Sequence, residues 1–470
     1  MAAGTGEESP TDPGGTASGN RLPRLGIVVA GRGSLTPIEA YSALRDSYAP
    51  VFLVVDAAGQ DDPASAALES TMRALARRAE VHRVPSATGL VDAPIRELSG
   101  ITTFCADGVE PACRLASEAG LPPLAADGGQ GLYDKVAQRA ALGPELSPRH
   151  QPLPTPCCTA GAGRHSPCNR QEWEQAAESV GLPAVLKPAR GQASRGVRRI
   201  ADGADLSAAR HEILAADLDP PSDEPAWLLE EFLAGHHRWP RAAYVSVESV
   251  VSGSDIRHVA LTHKLPMVEP FRELGQYLLP RDLEPAGEQG ALLDCASRAL
   301  TRLRVRNAVT HTELMLTPDG PKVIEVNARL GGLVRELVRA GRGADLARAA
   351  AAVAVGNRPE NPDEPAADRE LVFQYGPLAP VHPAVFVAAH GVADVLSLPG
   401  VQRYLAHVSA GELLGGGSET VTMAVVSGAC RDEEELAAVV TGLEKVLSYE
   451  YRLHPDGQAR RCDARGVPIG

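Results

Sequence analysis

The 470-residue chain has few features of membrane, nucleic-acid-binding or disulfide-stabilised proteins. It contains no run of 18 apolar residues, so no membrane-spanning helix of ordinary length is predicted. Lys and Arg total 46 against 59 Asp and Glu, and the formal charge of −13 opposes binding to phosphate backbones and anionic lipid surfaces. The eight cysteines lack regular spacing and therefore predict no disulfide framework. We expect a soluble cytoplasmic protein without nucleic-acid or membrane partners.

Lysine is also scarce, since only five of the 46 basic residues are lysines and the other 41 are arginines. A lysine ammonium is compact and flexible, and the planar guanidinium of arginine cannot replace it at every site. The lysines are therefore candidates for positions that require a point charge. We assign Lys322 and Lys445 to the surface, which leaves Lys135, Lys187 and Lys264.

Composition divides the chain into five segments. Residues 1–20 are rich in Gly, Ser, Thr and Pro without an apolar stretch, so they predict a disordered tail and neither a signal nor a transit peptide. Residues 21–130 alternate short β-branched runs with helical stretches, which predicts a parallel α/β sheet. The remaining segments are a central region at 131–356, a Pro-rich acidic linker at 357–370 and a small α+β module at 371–470.

Glycines after the first predicted strand leave one alternative open. Gly31 and Gly33 match the start of a dinucleotide-binding loop, and Asp56 follows the second predicted strand. The third glycine of that motif is missing, because Ser34 comes next. An incomplete motif is weak support for nicotinamide binding, and a tight turn between strand and helix explains both glycines equally well.

A predicted hairpin brings two acidic residues together. Residues 318–320 (Pro-Asp-Gly) form a turn signal between two alternating apolar runs, since Pro presets φ and Gly accepts the left-handed conformation. A three-residue loop would place Glu313 opposite Glu325 and His311 opposite Asn327. Glu325 and Asn327, two residues apart on one strand, then share a face.

This residue pattern predicts a site for a hard cation. Two carboxylates directly opposite each other are destabilising unless a positive charge lies between them. The oxygen donors of Glu313, Glu325 and Asn327 suit Mg²⁺ or Mn²⁺ better than zinc. Arg329 would offer a cation to an anionic substrate group. The alternative is a surface hairpin whose acidic side chains point into water.

A glycine-bounded loop follows a second predicted strand. Lys187 ends that strand, and Gly191, Ser194 and Gly196 lie in the loop after it. Such a loop exposes backbone N–H groups that can bind phosphate oxygens. Because Val197 and an arginine follow in place of Lys-Ser or Lys-Thr, a P-loop is disfavoured. A plain β-hairpin with glycine in its turn is the alternative.

The order of these motifs resembles the ATP-grasp superfamily of carboxylate–amine ligases. The chain is similar in particular to L-amino-acid ligases and carnosine synthases, and the resemblance covers about residues 25–455. The motifs that carry it are Asp134-Lys135, Leu186-Lys187-Pro188 with the glycine loop, Glu-Glu-Phe-Leu-Ala-Gly at 230–235, Leu-Thr-His-Lys at 261–264, Phe-Arg-Glu-Leu-Gly at 271–275, His-Thr-Glu at 311–313 and Glu-Val-Asn-Ala-Arg-Leu-Gly-Gly at 325–332.

The resemblance implies a fold of mixed α/β and α+β class. This is the ATP-grasp fold, with an N-terminal Rossmann-like pre-grasp domain at 21–130 and a small C-terminal α+β module. The ATP-grasp domain would span 131–356, with a mobile lid at about 181–234. Homodimers are common among such proteins.

The resemblance also implies a role for each motif residue. The ATP phosphates would contact Lys135, Lys187 and the loop of Gly191, Ser194 and Gly196. The adenine edge would contact Glu230 and the backbone of Glu231, Phe232 and Leu233. Two Mg²⁺ ions, or Mn²⁺, would be held by Glu313, Glu325 and Asn327. Arg329 would steady an acyl phosphate or a substrate carboxylate, and Lys264 and Glu273 would line the substrate side.

The implied reaction activates a carboxylate, an amino acid by preference, as an acyl phosphate. Capture by an amine then gives an amide, ADP and phosphate, in small-molecule or natural-product biosynthesis. The partners would be a small-molecule carboxylate and an amine. Two alternatives stay open: a carboxylase-like or purine-type ligase with another acceptor, and a nucleotide-sensing protein without turnover.

Three departures from the family pattern affect these expectations. Residues 236–244 replace a short acidic segment, which leaves the ribose contact open, and Gln276 stands where many relatives have histidine. A neutral amide cannot supply a charged imidazole at that place. The loop at 150–169 is long and contains a group whose spacing fits no standard zinc motif, namely Cys157, Cys158, His165 and Cys168. We expect a flexible loop with reduced thiols there.

Overall fold

The structure is a computed structural model that describes residues 21–55, 63–84, 93–156, 169–215, 226–235, 237–283, 286–359, 370–455 and 457–469. Several predictions lie outside the described residues: the tail at 1–20, most of the linker at 357–370, Asp56, and the group of Cys157, Cys158, His165 and Cys168. Within the described ranges, no helix is long and apolar enough to cross a bilayer.

The first four strands form a parallel sheet in the order β3-β2-β1-β4. Its strands are β1 (Arg24–Val29), β2 (Ala49–Val55), β3 (Glu80–Val84) and β4 (Gly100–Thr103), and its helices are α1 (Pro37–Leu44), α2 (Pro63–Leu75), α3 (Ala93–Arg96) and α4 (Val109–Glu118). β1 and β2 are buried along almost their whole length, as parallel strands covered on both faces must be. The strand order is that of a Rossmann-like sheet, as predicted.

A second sheet of four antiparallel strands has the order β5-β8-β6-β7. Its elements are β5 (His150–Leu153), α6 (Arg170–Val180), β6 (Ala184–Pro188), β7 (Arg198–Ile200), α7 (Gly203–Ala215) and β8 (Trp227–Glu231). α6 and α7 pack on the sheet through their own small core around Trp173 and Leu186. The predicted lid at about 181–234 contributes β6, β7 and β8.

The largest sheet has eight strands in the order β13-β12-β9-β10-β11-β14-β18-β16. They are β9 (Tyr244–Ser252), β10 (Asp255–Lys264), β11 (Gly275–Leu278), β12 (Asn307–Thr317), β13 (Gly320–Asn327), β14 (Leu371–Tyr375), β16 (Val401–Ala406) and β18 (Ala424–Cys430). The accompanying helices are α5 (Lys135–Leu146), α8 (Ala286–Arg302), α9 (Val334–Arg342) and α10 (Leu346–Ala354). Three strands from the C-terminal region therefore extend the central sheet.

The remaining C-terminal strands form a separate sheet in the order β17-β15-β19-β20. Its elements are β15 (Ala384–His390), α11 (Val392–Val395), β17 (Leu413–Leu414), α12 (Glu433–Val446), β19 (Ser448–Leu453) and β20 (Ala459–Asp463). One apolar core, which includes Tyr277, Phe373 and Tyr451, joins this sheet to the large one.

The N-terminal sheet packs on the central region through helix α10. Apolar residues of β1, β2 and α10 belong to one buried cluster. Gly100 on β4 lies against the end of that helix, since a Cβ atom there would lie 2.0 Å from the carbonyl oxygen of Ala354. A hydrogen atom in place of a side chain allows this close approach.

Candidate active site

Neighbouring strands of the eight-stranded sheet present polar side chains on one face. Directly opposed residues of antiparallel strands point to the same side, and so do residues two apart on a strand. One row across β13, β12 and β9 consists of Asn327, His311 and Glu248. The next consists of Glu325, Glu313, Ser246 and Thr262. The face continues across β10, β11 and β14 with Lys264, Gln276 and Gln374.

A cleft of about 430 Å³ lies beside this polar face. Its lining comes from the loop after β1, the loop after β6, the end of β8 and the C-terminal residues Glu419, Thr420 and Thr422. Every residue proposed from the sequence for the site lines the cleft, except Gly196 and Lys264. The fold therefore brings together motifs that are almost 200 residues apart in the sequence.

The hairpin of β12 and β13 has the predicted pairing near the site but not the predicted turn. Glu313 lies opposite Glu325, and His311 lies opposite Asn327. The loop has two residues rather than three, because Thr317 pairs with Gly320, whose φ is +101°. A β-bulge just after Glu313 shifts the register by one residue and restores the expected pairing.

Lys135 connects the hairpin to the glycine loop. Its Nζ lies 3.0 Å from a carboxylate oxygen of Glu325 and donates to the carbonyl oxygen of Gly191 at 2.9 Å. Asp134 caps helix α5, because its carboxylate accepts from the N–H groups of Val136 and Ala137. The cap fixes the helix start, and the lysine is thereby held at the mouth of the cleft.

Lys187, Glu230 and Arg139 form a buried ionic cluster. The Glu230 carboxylate lies 2.7 Å from Lys187 Nζ and 2.6 Å from Arg139 Nε. Burial acts to raise the pKa of Glu230, but the two cations lower it to about 2. Burial lowers the pKa of Lys187, and the charge of Arg139 acts in the same direction. The Glu230 carboxylate is therefore already paired with two cations, and adenine would have to compete with both of them for it.

His311 connects two carboxylates. Its Nδ1 lies 2.9 Å from Glu248 and its Nε2 lies 3.2 Å from Glu313. Burial acts to lower the pKa of His311, but the neighbouring carboxylates raise it to about 9. Burial likewise acts to raise the pKa of Glu313, and His311 lowers it to about 2. The imidazolium therefore neutralises buried charge and orients Glu313 toward the cleft.

The glycine loop (residues 191–196) is anchored by the C-terminal region. The Ser418 hydroxyl donates to the carbonyl oxygen of Ser194 at 2.9 Å and accepts from the N–H of Gly196 at 3.1 Å. The Thr420 N–H donates to the carbonyl oxygen of Ala193 at 2.9 Å. Ala193 and Ser194 have φ values of +54° and +60°, so these bonds stabilise a conformation that is unfavourable for side-chain-bearing residues.

The predicted adenine segment leaves β8 at the edge of the cleft. Glu231 pairs with Arg149 at 2.7 Å, and the N–H of Phe232 donates to the carbonyl oxygen of Pro183 at 3.1 Å. The guanidinium of Arg199 lies 4.7 Å from the centre of the Phe232 ring. Leu233 follows at the end of the segment and also lines the cleft.

Arg329 offers a buried donor to a ligand. Its guanidinium donates to the Asn327 side-chain oxygen at 3.3 Å and to the carbonyl oxygen of Leu330 at 2.6 Å. The buried Nε of Arg329 has no hydrogen-bond partner. A buried unpaired donor is unfavourable unless a ligand supplies the acceptor, and this arrangement fits an anionic group in the cleft.

The three predicted metal ligands fit a hard cation by donor chemistry. Glu313, Glu325 and Asn327 all present oxygen atoms to the same cleft, as Mg²⁺ prefers. The set contains only two carboxylates. Among the described residues, no group of three or more His, Cys, Asp and Glu side chains could hold a metal. The amide oxygen of Asn327 would therefore be the third protein ligand.

Lys264 lies behind the cleft wall and is only 2% exposed. Its Nζ donates to the side-chain oxygen of Gln276 at 3.0 Å and lies 3.6 Å from the half-exposed Glu273. Lys264 is therefore placed to act through its neighbours. The backbone N–H of Gly196 donates to the Ser418 hydroxyl, so this donor is already paired within the protein.

Sequence reasoning missed Arg139, Gln138 and Glu248. Gln138 holds β13 through hydrogen bonds in both directions with the backbone of Val326. The positions of Gln138 and Arg139 could have indicated a role in the site, because residues three and four after Lys135 lie on the same helix face as that lysine. Glu248 lies among valines on a fully buried strand, where a carboxylate needs a partner.

Comparison with known proteins identifies similar domains. Residues 180–336 match the family model of the ATP-grasp domain. The chain is 31% identical over 204 residues to carnosine synthase 1 of Gallus gallus, covering 42% of this chain and 21% of that protein. It is 27% identical over 173 residues to the alanine–anticapsin ligase of Bacillus subtilis, covering 34% and 36% of the two chains. The chain thus spans about a fifth to a third of these relatives.

Solved structures share the fold over most of the chain. The L-amino acid ligase from Bacillus licheniformis superimposes with a TM-score of 0.60 at 17% identity, covering 91% of this chain and 98% of that one. The N5-carboxyaminoimidazole synthase from Aspergillus clavatus, in complex with ADP and 5-aminoimidazole ribonucleotide, also gives 0.60 at 14% identity, covering 91% and 100%. At these identities the likeness establishes the fold alone.

Proposed function

Since the chain contains an ATP-grasp domain and has the fold that its motifs predict, we propose that it is an ATP-dependent carboxylate–amine ligase. An amino acid is the favoured carboxylate, because relatives include carnosine synthase and alanine–anticapsin ligase and an L-amino acid ligase has the same fold. The products would be an amide, ADP and phosphate.

One observation supports this function above the others. Cations, a glycine-bounded loop and oxygen donors line a single cleft, which is the combination that phosphoryl transfer requires. Lys135 and Lys187 would contact the phosphates of ATP beneath the glycine loop. The backbone of Glu231, Phe232 and Leu233 would meet the adenine at the end of β8.

Magnesium is the metal that the donor set suits. Glu313, Glu325 and Asn327 would hold it, and the bound ion would neutralise negative charge on the phosphate oxygens. Before binding, Lys135 pairs with Glu325, and His311 pairs with Glu313. Burial acts to raise the pKa of Glu313, but His311 lowers it to about 2, so this carboxylate is ionised and available to a metal ion.

The reaction would proceed in two transfers. A carboxylate oxygen of the first substrate attacks the γ-phosphorus of ATP in line, and ADP leaves with the bridging oxygen. The amine nitrogen of the second substrate then attacks the acyl carbon, loses a proton, and displaces phosphate. Arg329, whose Nε is unpaired, would bind the acyl phosphate. The closed glycine loop would exclude water that would otherwise hydrolyse it.

Incubation with Mg-ATP and pooled L-amino acids tests the proposal. We expect ADP that depends on the amino acids, together with a new mass equal to two substrates minus water. Mass spectrometry of the products then names the substrates. Formation of AMP and pyrophosphate, or ADP formation that requires bicarbonate and no amine, would overturn it.

A further inference from the structure

Three side chains form a hydrogen-bonded row across β10, β11 and β14. Lys264 lies opposite Gln276, and Gln276 lies opposite Gln374. All three are at least 95% buried. Gln276 and Gln374 line the cleft, whereas Lys264 lies behind it. We call this row the amide ladder.

The lysine determines how both amides point. An ammonium can only donate, so the Gln276 atom that lies 3.0 Å from Lys264 Nζ must be the carbonyl oxygen. The Gln276 nitrogen then donates to the carbonyl oxygen of Gly332 at 3.0 Å and to Gln374 at 3.2 Å. The Gln374 atom that accepts is therefore its oxygen, because a flipped amide would place two donors against each other.

This polarity leaves the Gln374 nitrogen as the last donor of the ladder. Among the described residues, no protein hydrogen bond from this nitrogen is present, and the Gln374 side chain lines the cleft. A ligand in the cleft is therefore the available acceptor for this donor. The positive charge of Lys264 at the far end polarises the ladder toward the cleft, which favours an oxygen acceptor with negative charge.

We propose that Gln374 determines substrate specificity by donating to a carboxylate oxygen of one of the two small-molecule substrates. Lys264 and Gln276 are positioning residues, because they act through Gln374. This inference rests on the proposed function, since it takes the ligands of the cleft to be carboxylates. It adds a binding group on a C-terminal strand, far in sequence from the nucleotide motifs.

Neighbouring groups make this end of the cleft suited to an amino acid. The Glu273 carboxylate lies 3.6 Å from Lys264 Nζ, and the Glu273 N–H donates to the hydroxyl of Thr420 at 3.2 Å. Glu273 and Glu419, which precedes Thr420, both line the cleft. Their carboxylates suit the ammonium group of a zwitterion, while Gln374 suits its carboxylate. An amine without the carboxylate would lose the Gln374 contact.

Equilibrium binding to the full-length protein tests the proposal without requiring turnover. The probes are a panel of the common L-amino acids and, for each one that binds, the amine with hydrogen in place of the α-carboxylate. We expect the wild type to prefer the amino acid, and Gln374→Met to weaken its binding about tenfold. Gln402→Met on the outer strand β16, where the side chain is exposed, is the matched control.

Steady-state kinetics with the amino-acid pair found above then separates the two substrates. Gln374→Met and Lys264→Met should raise KM for the same substrate, with a smaller effect on kcat and on KM for ATP. The substrate whose KM rises is the one that the ladder binds. If Gln374→Met does not fold, Gln374→Glu replaces the donor by an acceptor of the same shape. This variant should likewise lose the preference for the amino acid over the amine that lacks the α-carboxylate.

The outcomes distinguish this inference from the proposed function. Amide formation with unchanged binding and unchanged KM in Gln374→Met would overturn the role of Gln374 and leave the ligase intact. Equal binding of amino acid and amine by the wild type, or no binding of either, would also overturn it. Carboxylate-dependent binding that Gln374→Met weakens, without ADP or amide formation, would instead support the ladder and refute the ligase.

Discussion

The ammonium of Lys187 lies 2.7 Å from the carboxylate of Glu230, with both groups almost completely buried. Arg139 shares the same carboxylate, so two cations meet one anion beside the cleft. Uncompensated buried charge is unfavourable. A bound phosphate group would supply the missing negative charge, and the cluster is therefore better satisfied with a nucleotide than without one.

Replacement of Lys187 by methionine should remove turnover and leave the fold intact. Glu230 keeps Arg139 as its partner in this variant, whereas the phosphate loses a cation. We expect ADP formation to fall about 100- to 1,000-fold, with circular dichroism unchanged. Lys445→Met is the control, because Lys445 is exposed on α12. Full activity in Lys187→Met would contradict the assigned phosphate contact.

Glu230 should contribute stability that acid removes. Its pKa is about 2 in the folded protein and about 4.5 when unfolded, so the contribution is present above pH 4.5 and is lost as the pH falls toward 2. The shift corresponds to about 3 kcal/mol at neutral pH. Urea unfolding from pH 5 downward should therefore show a weaker pH dependence for Glu230→Gln than for the wild type. The exposed Glu178→Gln should leave the pH dependence unchanged.

Glu325→Ala should weaken the response to magnesium. The variant loses one of two carboxylates in the proposed ligand set and frees Lys135 from its ion pair. We expect turnover to become undetectable at ordinary Mg²⁺ concentrations, with partial recovery when Mg²⁺ is raised about tenfold or more. A titration of ADP formation against Mg²⁺ measures this. A wild-type titration curve in the variant would contradict the assignment of Glu325 as a metal ligand.

Ser418→Ala should uncouple ATP use from amide formation. The hydroxyl makes two hydrogen bonds to the glycine loop, and loss of about 1 kcal/mol would increase the open population about fivefold. Water would then reach the acyl phosphate more often. The ratio of ADP to amide should rise above that of the wild type, and the exposed Ser409→Ala should retain the wild-type ratio. An unchanged ratio in Ser418→Ala would show that the loop closes without this contact.

Gly100→Ala should destabilise the junction between the N-terminal sheet and the central region. The new methyl group would lie 2.0 Å from the backbone oxygen of Ala354, so α10 or β4 must move. We expect a loss of about 1–3 kcal/mol, measured as a lower urea midpoint. Gly290→Ala is the control, since no atom lies within 4 Å of its added Cβ and alanine favours the helix by about 0.5–1 kcal/mol.

The sequence was sufficient for features that depend on local spacing. The turn signal at 318–320 between two alternating apolar runs led to the correct pairing of Glu313 with Glu325. The turn was misjudged by one residue, and the bulge after Glu313 offset that error. A β-bulge has no strong local signature in this segment, so the spacing of residues could not predict it.

Contacts between distant segments could not be predicted from spacing. Glu230 meets Arg139 across 91 positions, and Glu248 meets His311 across 63. Pairing of β11 with β14 brings together Gln276 and Gln374, which are 98 positions apart. Each juxtaposition depends on the order of strands in the sheet. Motif order indicated the fold, but only the folded chain reveals which buried charges share partners.

The pairing of β11 with β14 has a consequence for dissecting this protein. A chain shortened before Leu371 would leave β11 as an exposed edge strand, with backbone N–H and C=O groups open to pairing with other molecules. Such a truncated protein should self-associate through that edge. The C-terminal region is therefore part of the folding unit that contains the cleft. Loss of activity in a truncated chain would report aggregation and not the loss of a catalytic group.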